Sequence, residues 1–425
     1  MTCFAGMTFS VFCNLSEQQR SYTISTVFEV AKVDESPAVR STACRAIGVL
    51  VNFPTLITRT DILASAMDLI INSTRDASLV VRITASWALA NLCDSLRCTS
   101  EEKNVELSAG MTFQVVAECA MRLSKDNDKV RANAVRALGN LTRAVNFSTE
   151  DTSIYVTTMD CTNPLGKGTL LERVVQALVS CVTTGNVKVQ WNVCHALGNL
   201  FLNKSIPIHA MPWSTSVYSI MLLLLRDSKN FKIRIQAASA LAVPDKRRDY
   251  GQSFSDIVQA LVLSLESLNS SELADPSTYK YMVALNEQLT DTCLHVLRLV
   301  EIQDYEQLQD FLSKKDAFLQ SWLRSTSVAA SEEIKDGSCQ CIENEGTEGT
   351  SSNHIARCWI HKERPPRERI WYALNEKDMQ VSIERTSLKR IEDVKAVCEK
   401  LICMYVQGKQ TKQTVAYQEL LNRFS

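Results

Sequence analysis

At 425 residues the chain is long enough for two or three compact domains or for one extended array, and an apolar content of 45% supplies a continuous core for either. A net charge of −1 excludes a protein that works chiefly through a broad basic surface on nucleic acid. The fifteen cysteines are odd in number and lack the clustered spacing of a disulfide framework, so they read as reduced core thiols of a cytosolic or nuclear protein.

The opening MTCFAGMTFSVFCNL has no basic leading region and is not read as a secretory signal. Residues 1–16 are expected to be the remnant of a helix whose repeat partner is missing, with Met1 not the natural start of the longest form. Amphipathic helices are then expected over Glu17 to Val33, Thr60 to Ser73, Ala109 to Leu123, Leu170 to Val182 and Trp213 to Leu225. A small-residue block follows each of them. The clearest copy is DNDKVRANAVRALGNL, ending at Leu141. In every copy a β-branched residue (Val39, Val81, Val130, Val189, Ile233) precedes Arg40, Arg82, Arg131, Gln190 or Arg234, and a central alanine follows (Ala46, Ala88, Ala137, Ala196, Ala240). These alanines are 42, 49, 59 and 44 residues apart. Small side chains at helical spacing, with Gly48, Gly139 and Gly198 beside them, predict a face on which neighbouring helices approach closely. Asp34, Asp76 and Asp128 are placed to cap these helices, and the following arginine to tie one repeat to the next repeat's aspartate.

Pattern and period resemble the HEAT and armadillo repeat families over roughly residues 17 to 325. The resemblance implies an all-α fold: an α-solenoid, a superhelix of helix pairs, followed by a disordered linker and a small C-terminal segment. It also implies a non-enzymatic scaffold or adaptor that holds a protein partner on its concave face. The dissection expected is a repeat solenoid over 1–324, an acidic disordered linker over 325–353 and a basic C-terminal segment over 354–425.

Between Thr142 and Thr169 the pattern stops, and the insertion reads either as a partner contact or as a bland loop. The longest apolar run, Ser219 to Leu225, is too short to span a membrane. Further helices are expected over Ser255 to Leu268, Thr278 to Val300 and Tyr305 to Leu323. Residues 325–353 carry six acidic residues against one lysine, the composition of a solvated linker. From His354 onward there are 14 basic and 9 acidic residues. There RIWYAL and MQVSIERT alternate as two short strands would, ahead of an amphipathic helix, so the segment reads as a small α+β module or as unfolded.

Candidate site residues are few. Trp87 and Asn91 stand four apart, the step at which nuclear-import adaptors of the armadillo family array Trp and Asn along an extended peptide. The equivalent pairs in the next copies are Arg136 with Asn140 and His195 with Asn199. A side-chain amide donates and accepts at once, so an asparagine ladder suits either a peptide backbone or a tie between helices. The cationic neighbours favour an acidic or neutral partner. Cys339, Cys341, His354, Cys358 and His361 form the one Cys/His cluster, although a single residue between the first two cysteines is short for zinc. The run HKERPPRER from His361 reads as a basic patch or a solvated turn. No phosphate-binding glycine loop, GxSxG or HExxH occurs, so no catalytic residue and no cofactor are expected, and neither nucleic acid nor membrane is expected as a partner.

Overall fold

The computed structural model describes residues 1–103, 107–108, 111–147, 169–269, 276–339 and 376–423. It divides into two compact units, Met1–Trp213 and Ser214–Ser425, and each is described by itself.

The first unit opens with two short helices, α1 (Thr2–Ala5) and α2 (Phe9–Asn14). Phe12 is buried there against Phe53, ring centroids 5.3 Å apart. Next along the chain are α3 (Glu17–Val33), α4 (Pro37–Leu50), α5 (Pro54–Ile57), α6 (Thr60–Ser73), α7 (Leu79–Lys103), β1 (Leu107–Ser108), α8 (Met111–Leu123), α9 (Asp128–Ala144), β2 (Val145–Asn146), α10 (Leu170–Thr184) and α11 (Val187–Leu202). Local chemistry sets the starts. Ser16 and Gln19 make a reciprocal capping box on α3, Thr169 caps α10, and Asn127 and Asn186 cap α9 and α11. Two-residue β1 and β2 pair in parallel beside α9.

Four hairpins result: α3 with α4, α6 with α7, α8 with α9, and α10 with α11. The second helices also stack on one another in sequence, from α4 through α7 and α9 to α11, and far more closely than the first helices do. Glycine permits that approach. A Cβ on Gly139 would stand 2.6 Å from the Cα of Ala196, and one on Gly48 would stand 2.9 Å from the Cα of Ala88. Ala88, Ala137 and Ala196 are themselves buried in the seam. The second helices thus form the tighter of the two layers, called the inner layer.

A second device sets the repeat spacing. Arg40 donates in fork geometry to Asp76 of the next repeat (2.9 and 3.1 Å), and Arg82 does the same to Asp126 (2.8 and 3.4 Å). Each guanidinium also holds two carbonyls of its own interhelical turn, those of Asp34 and Glu35 for Arg40 and those of Asp76 and Ala77 for Arg82. Arg131 reaches the Thr184 carbonyl of the next repeat instead, while Gln190 and Arg234 turn back to the carbonyls of Val182 and Leu225. The capping expectation needs correcting. Asp34 and Asp76 brace the turn by accepting the amides of Ser36 and Ser78, and Asp128 lies inside α9, paired with Arg131, because Asn127 takes the cap.

The second unit contains α12 (Ser214–Asp227), α13 (Phe231–Leu241), α14 (Phe254–Asn269), α15 (Pro276–Leu297), α16 (Tyr305–Cys339), α17 (Glu376–Gln407) and α18 (Thr411–Asn422). Here α12 pairs with α13 and α14 with α15, while α16, α17 and α18 pack as a terminal group. Two expectations are overturned. The boundary at 324 falls inside α16, so residues 325–339 are helix and not linker, and MQVSIERT belongs to α17 and not to a strand. Leu312, Leu319 and Leu323 of α16 and Val394, Val397 and Leu401 of α17 are buried, so this seam is a hydrophobic one. Residues 340–353 and RIWYAL lie outside the described residues. The protein is thus an all-α solenoid of helix pairs, and no helix among the described residues is long and apolar enough to cross a membrane.

Candidate functional site

The repeat register puts one residue just before each central alanine, on the same helical turn. On α4, α7, α9 and α11 these are Arg45, Trp87, Arg136 and His195, and none of the four is buried. Because the helices stack side by side, these positions form a row across the inner layer of the first unit. Arg45 lies over the Trp87 ring at 5.1 Å, and Trp191 stands 6.1 Å from the His195 ring.

One helical turn further on come Val49, Asn91, Asn140 and Asn199. The three amides are 7%, 3% and 4% exposed, and they face into the stack. Asn91 donates to the Gly48 carbonyl of the preceding repeat at 2.9 Å, and its Oδ1 accepts from Arg136 at 2.8 Å. Asn140 donates to the Ala90 carbonyl at 3.5 Å. Asn199 donates to Asn140 Oδ1 at 3.5 Å and accepts from Arg143 at 3.4 Å, long contacts that fix orientation more than they add energy. Of the six site residues read from sequence, Asn91 is joined to Arg136, and Asn199 to Asn140 and His195, while Trp87 contacts Arg45, and the six lie in two layers. Trp87, Arg136 and His195 are open, whereas Asn91, Asn140 and Asn199 are occupied in tying helix to helix.

The network extends to residues that the repeat pattern does not flag. Asp94 pairs with Arg97 at 2.9 Å and stands 3.8 Å from Arg136, and Arg143 lies one turn beyond Asn140. Desolvation in this crowded wall is the main influence on His195, followed by the guanidiniums of Arg143 and Arg97, with Asp94 opposing; together they hold the imidazole below its ordinary range. One side of the residue is open to solvent, which moderates the effect. Three further asparagines, visible only once helices are placed, make stronger ties. Asn133 bonds Ser86 Oγ at 3.0 Å, Asn192 the Ala132 carbonyl at 2.7 Å, and Asn203 the carbonyls of Thr142 and Val145 at 2.6 and 2.7 Å.

Of the metal candidates, Cys339 closes α16, while Cys341, His354, Cys358 and His361 lie outside the described residues, as does the basic run after His361. Most of the Thr142 to Thr169 insertion does too. Its described start completes α9 and β2, and buries Phe147 edge-on against Phe113, ring centroids 5.5 Å apart. The repeat cysteines are core atoms: Cys44, Cys93, Cys119, Cys181, Cys194 and Cys293 are buried, and burial pushes the Cys194 thiol up to about 12.

No family model matches the chain. An uncharacterized protein of Dictyostelium discoideum is 26% identical over 392 residues, which cover 69% of this chain and 26% of that protein, so the chain spans about a quarter of that relative's length. Among solved structures, a designed armadillo repeat protein is similar at 18% identity and a TM-score of 0.41, covering 63% of this chain and 99% of that one. A HEAT-like repeat protein from Thermococcus onnurineus is similar at 14% identity and a TM-score of 0.42, covering 68% and 95%.

Proposed function

We propose that the protein is a non-enzymatic scaffold, cytoplasmic or nuclear, whose inner second-helix layer binds another protein, without nucleic acid, membrane or cofactor. One observation carries the reading. Arg45, Trp87, Arg136 and His195 stand unburied on four stacked helices, Arg45 over Trp87, Arg136 held by the amide of Asn91 and His195 beside that of Asn199. Aromatic and arginine side chains in a preorganised row are the groups that dominate protein interfaces. The order of the repeat blocks is most like that of HEAT repeat-containing protein 6, and membership of that lineage is part of the proposal.

A second reading within the same class is a transport-type adaptor that grips an extended peptide by its asparagines. It requires Asn91, Asn140 and Asn199 to release Gly48, Ala90 and one another, at the cost of leaving buried polar groups without partners. The open row requires no such release and is favoured. A photo-crosslinking amino acid placed at Trp87 tests it against one at Tyr22, which is exposed on a first helix. Partner proteins should crosslink through position 87. Crosslinks through position 22 alone would place the binding surface elsewhere.

A further inference from the structure

The interhelical turns of the first unit form an edge of their own, apart from the inner layer. Hydrogen bonds set them side by side: Arg82 holds the carbonyls of Asp76 and Ala77 and the carboxylate of Asp126, while Arg131 holds the Asp126 carbonyl and reaches that of Thr184. The acidic residues of the second and third turns are matched within the chain. Asp76 is paired with Arg40, Asp126 with Arg82, and Asp128 with Arg131. The cations that stand furthest out are not. Arg75, Arg122, Lys125, Lys129 and Lys188 are exposed on or beside the second, third and fourth turns, and none of them forms an ion pair with a described residue. Arg122, at the end of α8, is fixed in place without being neutralised. Its Nη2 donates to Thr74 Oγ1 of the preceding repeat at 2.7 Å, and its Nη1 to the Thr74 carbonyl at 3.4 Å. Thr74 is fully buried, and its hydroxyl donates in turn to the Ile71 carbonyl at 2.6 Å. A guanidinium held by neutral acceptors is oriented yet keeps its charge and further N–H donors.

We propose that this turn edge, from the second repeat to the fourth, is a docking surface separate from the inner layer, and that its occupant is an acidic segment of a protein. Charge complementarity selects the occupant. The whole chain carries −1, so the cationic excess belongs to this edge and not to the molecule at large. Helix dipoles do not offset it, because every turn joins the C-terminus of a first helix to the N-terminus of a second, and the two ends oppose each other. Carboxylate oxygens match the fork of Arg122, so that contact is directional as well as charged. Leu79 and Val80, 37% and 56% exposed on the first turn of α7, offer an apolar side chain of the segment a place to rest. Nucleic acid is less favoured, since bases stack on aromatic side chains and the stretches from Thr74 to Val80 and from Arg122 to Arg131 contain none. An anionic bilayer is less favoured too. It rewards apolar side chains along the whole edge, whereas the third turn offers only Ser124, Lys125, Asp126 and Asn127.

The full chain is titrated by fluorescence anisotropy with a fluorescein-labelled Gly/Ser peptide carrying a central Leu flanked by Glu residues, and with the same peptide carrying Lys in place of Glu. The Glu peptide should bind, the Lys peptide should not. Lys125→Glu with Lys129→Glu, at exposed positions whose side chains tie nothing together, should weaken binding about tenfold. Lys204→Glu with Lys412→Glu, an equal charge change at exposed positions away from these turns, should leave it unchanged. Arg122→Lys keeps the charge and loses the fork, and should weaken binding severalfold. Because that variant also gives up its hold on Thr74, its melting is measured alongside. Equal binding of the Lys peptide overturns the proposal, as does unchanged affinity in the Lys125 and Lys129 double variant or an equal loss in the Lys204 and Lys412 one. So does tighter binding of single-stranded oligothymidylate or of phosphatidylserine vesicles, which would reassign the edge to nucleic-acid phosphates or to a membrane. The scaffold reading stands or falls separately, by the crosslink at position 87 of the inner layer.

Discussion

Gly139 has no room for a methyl group, and that residue decides how closely two repeats can stand. A Cβ there would meet the Cα and Cβ of Ala196 at 2.6 Å, so the backbone of α11 would have to move. Ala137, two positions earlier on the same helix, is fully buried. Ala137→Leu is expected to destabilise the first unit by about 1–3 kcal/mol through overpacking, and Gly139→Ala by a similar route. Thermal melting checks this; an unchanged midpoint in both would mean that the seam has room to spare. A second residue-scale prediction concerns His295. Its Nε2 donates to the Pro244 carbonyl at 2.7 Å, and its Nδ1 lies 3.2 Å from Arg298 Nη2, which can only donate, so the ring is neutral with the proton on Nε2. Burial, reinforced by Arg298 and Lys389 and opposed by the Pro244 bond and Asp393, lowers its pKa. The unfolded chain therefore takes up this proton first. Stability from this group is complete above about pH 6.5 and is lost as pH falls from there through the depressed folded value. His295→Gln preserves a donor and an acceptor, and hydrogen exchange of α15 between about pH 6.5 and 5.5 should lose its pH dependence in that variant. An identical slope in both proteins would exclude His295 as the titrating group.

At the scale of elements, two kinds of tie join the second helices, and they respond differently to mutation. The Arg82 to Asp126 fork links one repeat's turn to the next at partly exposed positions, so a double-mutant cycle should give a coupling of at most about 1 kcal/mol, screened by salt. A coupling that is salt-independent would contradict this. The amide ties are buried, and removing one strands the carbonyl or guanidinium it served. Asn91, Asn140 and Asn199 all changed to Ala should therefore lower the melting temperature markedly while the folded fraction still binds the partner, with Arg136 less well positioned. Normal stability with abolished binding would favour the peptide-gripping alternative. Much of this element pattern is legible in the sequence. Glu17 to Val33 and Thr60 to Ser73 begin and end where expected, since apolar spacing and polar turns agree at both ends. The errors have local causes. Two acids flank Asn127: Asn127 takes the cap expected of Asp128, and Asp126 takes the ion pair from Arg82. MQVSIERT alternates like a strand but is flanked by strong helix formers, and packing of α17 on α16 decides between the two periods. The candidate site was found as a set of positions and not as two layers, because a four-residue step places two residues on one face without saying how deep each lies.

For the whole molecule, the two helices beyond α16 determine how the second unit ends. A repeat array needs a terminal element that covers its last apolar face. Here α17 supplies Val394, Val397, Cys398 and Leu401 to buried positions, and Tyr405 donates to the Leu312 carbonyl of α16 at 3.2 Å. Charges fix its placement: Arg298 donates to Asp393 at 2.7 Å, and Arg390 donates to Asp291 at 2.6 Å, so α15 and α17 are joined by ion pairs of both polarities. The basic balance of this segment, which on sequence alone points to a separate module, is partly spent on these internal pairs. Removing residues 376–425 should therefore uncover Leu308, Leu312, Leu319 and Leu323 of α16 and make the second unit bind the dye 8-anilinonaphthalene sulfonate. Crosslinking through Trp87 in the first unit should persist in the truncated chain, because each repeat depends on its neighbours and not on distant elements. If truncation leaves dye binding and melting unchanged, α17 and α18 are an appendage and not a cap. If it abolishes crosslinking at position 87 while the first unit still melts normally, the partner is held by the C-terminal helices as well as by the inner layer.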